Sequence, residues 1–134
     1  MTEAVWLLRL LGLGAVLETL VGLGLVVSPS PLVSLLLGEP LSDTGLVVAR
    51  LAGGGLLALG IACWYARATP IARAGIGVAV AFLAYNIVAC VTLALAQPVS
   101  TNRVLLLGAS ALHGLLAIGL SAALVVGNRR RVAP

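Results

Sequence analysis

Glu18, Arg50, Asn86 and His113 are the side chains of this chain best equipped for chemistry, and each lies well inside a long apolar stretch. Placing a charged residue near the middle of a membrane helix costs roughly 2.5 to 3.5 kcal/mol on insertion scales. Residues kept at that cost usually face a bundle interior, pair with one another and mark a site. Glu18 offers an acid or base, Arg50 a fixed cation, His113 a titratable imidazole and Asn86 an amide. Glu18 and Arg50 can neutralise each other, and His113 can exchange a proton or hold a carbonyl or hydroxyl. Tyr85, beside Asn86, can donate a hydrogen bond to the same layer.

Four stretches are long enough to cross a bilayer, which takes about 20 apolar residues: 5–27, 45–66, 71–96 and 103–127. Counted from the ends at Val27, Gly45, Ala96 and Arg103, the four polar residues lie about 13, 8, 15 and 15 Å deep at 1.5 Å per residue. The long arginine side chain covers its shortfall, so all four can meet in one layer. On this reading Glu18, His113 and Arg50 are the candidate catalytic groups, and Asn86, Tyr85 and Gly54 the candidate binding groups. Each has a plainer role as well. Glu18 and Arg50 can be a buried pair that fixes helix register, Asn86 interhelical glue and His113 a satisfied structural histidine. The run Gly53-Gly54-Gly55 can serve close helix packing or leave room for a ligand.

The punctuation of the chain supports an all-α membrane four-helix bundle forming one domain over 1–134. Ser28-Pro29-Ser30-Pro31 stops the first span. Thr69-Pro70 reads as N-cap and first helical residue of the third, Gln97-Pro98 closes it, and Gly127-Asn128 ends the fourth. Ser30 can cap, and Pro31 start, a short helix over 31–37, too short to cross and suited to lying across one mouth of the bundle as a lid or connector. Two segments echo each other, Gly55-Leu-Leu-Ala-Leu-Gly-Ile-Ala62 and Gly114-Leu-Leu-Ala-Ile-Gly-Leu-Ser121, as a duplicated hairpin would.

Composition agrees. Apolar residues make up 61% and charged residues 9% of 134, with a net charge of +4 and mean hydropathy +1.19, where a soluble domain carries about 25% charged residues. Nucleic acid is a poor partner for arginines that flank spans. Arg67, Arg73 and the tail Arg129-Arg130-Arg131 share one side, which by the positive-inside rule places both termini in the cytoplasm of a multi-pass inner (plasma) membrane protein. Trp6, Trp64 and Tyr65 fall at that boundary. No cleaved signal peptide is expected. Cys63 and Cys90 sit near opposite faces, too far apart for a disulfide, and read as free thiols. One histidine with no cysteine nearby does not make a structural metal site. A bis-histidine haem needs a second chain. There is no phosphate loop, nucleophile elbow or zinc-protease motif.

An acidic residue in span one, Glu18, with an Arg-x-x-Gly-Gly opening in span two, Arg50-Leu-Ala-Gly53-Gly54, resembles the DoxX-like group of small four-span membrane proteins. The resemblance implies the architecture and a quinone-like ligand. The small multidrug-resistance transporters also have four short spans and a glutamate in the first. This chain departs from them in Arg50, His113 and its arginine asymmetry. Three functions follow as expectations. The first is an intramembrane site for a lipophilic, polar-headed substrate, quinone- or isoprenoid-like, with acid–base isomerase, cyclase or epoxide-opening chemistry or a quinone-binding redox role. The second is a non-catalytic assembly subunit of a homo-oligomer or larger complex, and the third a proton-coupled transporter.

Overall fold

The computed structural model describes residues 2–96 and 102–132, with side chains over 4–96 and 102–127. The described residues form five helices joined by short non-helical segments, with no strand among them, in the order α1 Thr2–Val27, α2 Pro29–Leu37, α3 Asp43–Ala66, α4 Arg73–Leu95 and α5 Arg103–Val132. Helices α1, α3, α4 and α5 are each long and apolar enough to cross a membrane, and only 17–28% of the residues in their apolar windows are buried. Many of the others are exposed leucine, valine and isoleucine side chains, which suit lipid rather than water.

Several helix ends differ from the sequence expectation. The short helix starts at Pro29, with Ser28 in the cap position, one Ser-Pro pair earlier than expected. Both pairs carry the same start signal, and Ser28 also donates its N–H to Gly24 O at 2.8 Å, joining α1 to α2 almost without a break. Gly38 stops α2 with φ 85°, its N–H bonded to Ser34 O, as the left-handed C-cap requires. Ser42 caps α3 by accepting from the Gly45 N–H at 3.1 Å, with Asp43 in the first turn, where negative charge is favoured. Thr69-Pro70 does not begin α4. It forms a turn closed by Ala72 N–H to Thr69 O at 3.1 Å, with proline in its preferred second position, and Ala72 occupies the N-cap. Gly127 does not end α5, which runs on to Val132. Among the described residues only Gly38 adopts positive φ, so Gly127 simply continues the helix. Gln97-Pro98 lies outside the described residues.

Contacts between elements give the order α3, α1, α5, α4 around the bundle, with α1 and α4 touching across its centre. The α1–α3 seam is the tightest. A Cβ built on Gly22 would meet Leu57 N at 2.5 Å and Gly53 O at 2.7 Å, and one on Gly60 would meet Thr19 N at 2.8 Å and Ala15 O at 3.1 Å. Backbones approach this closely only where side chains are missing, as small residues permit in membrane bundles. Leu11, Cys63, Phe82, Leu116 and Leu120 fill the core, and Cys63 and Cys90 are free thiols. Phe82 is fully buried, its ring lying against the bare Gly14 backbone of α1. Phe82→Ala removes that contact across the centre and is expected to cost about 3–5 kcal/mol, read as a lowered thermal midpoint in detergent. A midpoint unchanged from the parent would mean that α1 and α4 do not pack through this ring.

Helix α2 touches α1, α3 and α5. The Asn102 side chain donates to Leu35 O at 2.6 Å, fastening α2 to the start of α5. The nine residues of α2 reach about 13 Å at 1.5 Å per residue, well short of a crossing.

Candidate functional site

Three of the four polar residues singled out in the sequence converge. Glu18 of α1 and Asn86 of α4 are buried, 3% and 0% exposed, whereas Tyr85 and His113 are half-buried. The Tyr85 hydroxyl stands beside the Glu18 carboxyl group across the bundle centre. The Tyr85 and His113 rings meet edge to face, centroids 5.5 Å apart. His113 Nδ1 lies 2.9 Å from Asn86 Oδ1, and Asn86 Nδ2 donates to Phe82 O at 2.8 Å.

The helix geometry explains how neighbouring residues of α4 serve different partners. Phe82, Tyr85 and Asn86 stand at i, i+3 and i+4, on one side of the helix. Successive residues are about 100° apart, so Tyr85 points towards α1 while Asn86 points towards α5. Phe82 and Tyr85 stack with ring centroids 6.5 Å apart, which holds the phenol in place.

Hydrogen-bond bookkeeping fixes the histidine tautomer. Phe82 O can only accept, so the Asn86 NH₂ faces it and Asn86 Oδ1 faces His113. An amide oxygen also only accepts, so His113 Nδ1 carries the hydrogen. In a neutral ring this leaves Nε2 with a lone pair. Among the described residues, none hydrogen-bonds to Nε2. His113 therefore presents an acceptor, on a half-buried ring, next to a phenol–carboxyl pair.

One turn away on the same two helices, Ser110 Oγ donates to Cys90 O at 2.9 Å and lies 3.6 Å from Cys90 Sγ. From sequence Cys90 reads only as a free thiol, and Ser110 is not among the candidate site residues. Their pairing had one readable signal: Asn86/Cys90 and Ser110/His113 repeat at helical spacing on antiparallel spans.

Arg50 and Gly54 lie elsewhere. Both are exposed on α3, nothing comes within 4 Å of a Cβ built on Gly54, and no ion pair joins Arg50 to Glu18. The reason is register. Gly60 packs on Thr19 and Gly53 on Leu25 and Val26, so Glu18 stands level with about Gly60, ten residues from Arg50, or about 15 Å along the helix. The expectation of a shared layer set Val27 and Gly45 at equal depth. In the structure Arg50 is level with the end of α1, and the first two turns of α3 rise beyond it beside α2. Within the motif Arg50-Leu-Ala-Gly-Gly54, Gly53 serves helix packing, while Arg50 and Gly54 face outward.

Two open apolar grooves are also present. One, of about 570 Å³, runs between α1 and α3. The other, of about 620 Å³, lies between the start of α1 and the turn before α4. Neither is lined by Glu18, Tyr85, Asn86 or His113.

Fold and cluster together fit a small integral membrane protein, a helical bundle of four potential spans with a polar centre shared by α1, α4 and α5. Comparison with protein-family models, with curated proteins and with solved structures finds no match to this chain.

Proposed function

We propose that the chain binds a lipophilic molecule with a hydroxyl-bearing polar head, of the quinol or isoprenoid-alcohol kind, at His113 and Tyr85 within the membrane. The observation that carries this reading is the unengaged Nε2 of a half-buried His113 whose other nitrogen is committed to Asn86. A head-group hydroxyl would donate to Nε2, and its apolar tail would lie among the outward apolar side chains. Glu18 stands further in, beside the Tyr85 hydroxyl. The pair could give or take a proton while His113 does the reverse, the arrangement general acid–base chemistry needs. An isomerisation or ring closure of the bound molecule is the reaction class that fits. The site would lie nearer the α2 end of the spans, opening towards the non-cytoplasmic leaflet if arginine placement sets the topology.

The test is gentle purification of the full chain, followed by mass spectrometry of small molecules that remain bound. The parent should carry a defined lipophilic hydroxyl compound, and His113→Ala should lose at least nine-tenths of it while keeping its thermal midpoint within a few degrees. Equal amounts in both proteins would remove the proposal.

A second reading rests on the way the cluster satisfies itself. Asn86 uses both ends of its amide, and Ser110 caps the Cys90 carbonyl. Such a network can lock α4 to α5 in an assembly subunit with no substrate. Under that reading His113→Ala unfolds the bundle rather than emptying it.

A further inference from the structure

The groove between α1 and α3 lies apart from the polar centre, and its chemistry is different. Val16, Thr19 and Leu20 line one wall and Ile61, Trp64 and Tyr65 the other. It is an open, apolar trough on the outer surface, parallel to the helices. Trp64 also carries the Arg67 guanidinium on its ring, the central carbon 3.5 Å from the ring centroid. Arg67 Cδ reaches within 4.0 Å of the Cβ position on Gly12, so the side chain bridges the two helices at the lower end of the trough. Arg9 follows one turn nearer the N-terminus, its guanidinium carbon 5.9 Å from the Trp6 ring centroid.

Arg67 is half-buried, yet among the described residues no hydrogen bond or ion pair engages its guanidinium. Stacking on the indole fixes the plane and leaves the N–H edges without a hydrogen-bond partner among the described residues. A guanidinium held this way presents a fork that matches a phosphate. The cation sits at the end of the spans, beside the aromatic residues that mark a membrane boundary. From the α1–α3 register, Arg67 lies about eight residues below Thr19, or about 12 Å at 1.5 Å per residue. A single molecule can therefore place a phosphate on the arginines and an acyl chain in the trough.

We propose that this face is a binding site for one anionic phospholipid, its phosphate held by Arg67 and Arg9 and one acyl chain lying between α1 and α3. Charge selects the head group, because a basic residue held near the surface, here chiefly the half-buried Arg67 with the exposed Arg9 adding less, favours an anionic lipid by about fivefold. Shape selects the position, because bulkier residues at Val16 or Thr19 would fill the trough. The site is independent of the His113 centre.

Trp64 is a built-in reporter, since it lines the trough. The full chain with Trp6→Phe, which leaves Trp64 as the sole tryptophan, is reconstituted in phosphatidylcholine vesicles. Brominated phosphatidylglycerol or brominated phosphatidylcholine is then titrated in, and fluorescence quenching is followed. Half-quenching is expected at about fivefold lower mole fraction for the anionic lipid. Arg67→Gln should bring the two curves together, Arg9→Gln should narrow the gap, and Val16→Phe should reduce quenching by either lipid. Coincident curves in the parent overturn the proposal, as does a preference that survives in both arginine variants. A Trp64 that neither lipid quenches shows the trough covered by protein, a second copy included, and overturns it equally. If Arg67→Gln fails to fold, Arg9→Gln with Val16→Phe decides the matter.

Discussion

Gly60→Ala is expected to cost about 3 kcal/mol of stability, and Gly60→Leu to leave no folded monomer. A new Cβ at this position meets Thr19 N at 2.8 Å and Ala15 O at 3.1 Å. These are backbone atoms of a helix, so relief requires α1 and α3 to part along their whole seam. The same substitution six residues earlier supplies the control. Gly54 faces open space, so Gly54→Ala meets nothing and gains helix propensity worth up to about 1 kcal/mol. Thermal unfolding of the two variants in one detergent decides the point. If both lower the midpoint alike, the seam does not run where Gly22, Gly53 and Gly60 place it.

Tyr85→Phe is expected to reduce the amount of retained lipophile at least tenfold, with little change in stability. The substitution deletes one oxygen and keeps the ring that packs on Phe82 and His113. Interhelical hydrogen bonds in membranes contribute about 0.6 kcal/mol on average and no more than about 1.7, so the fold should survive. What is lost is the link between the head-group position and Glu18. Glu18→Gln should have a similar effect, and the double variant should be no worse than either single one, since both cut the same connection. Additive losses would mean that the phenol and the carboxyl act separately, and the proposed acid pair would fall.

Much of the architecture was legible because hydropathy reports spans directly. Four apolar runs longer than a bilayer is thick admit few alternatives, and the Ser-Pro pairs and the small residues marked ends and seams. The convergence of Glu18, Asn86 and His113 was legible too, because each is costly in hydrocarbon and each lies near the middle of its span. Arg50 was not legible in this way. A depth counted from span ends assumes that the ends are level, and they are not when one helix rises past its neighbour. Only the Gly22, Gly53 and Gly60 contacts fix the sliding register of α1 on α3, and a glycine-rich seam fits several registers equally well from sequence. From sequence Tyr85 joins the layer only as a neighbour of Asn86. It stands instead beside Glu18, which depends on α1 and α4 being diagonal partners.

The pairing of helices has a consequence for biosynthesis. Helix α4 packs chiefly on α5 and α1 chiefly on α3, so the chain is two hairpins laid side by side. The second hairpin brings its own partners: Asn86 with His113, and Ser110 with the Cys90 carbonyl. The first does not. Glu18 enters the membrane ahead of Tyr85, which reaches it only with the second hairpin. Until the second hairpin docks, the nascent protein carries the Glu18 carboxyl group in hydrocarbon without the Tyr85 hydroxyl beside it, a state costly enough to hold the half-made bundle open to whatever machinery escorts it.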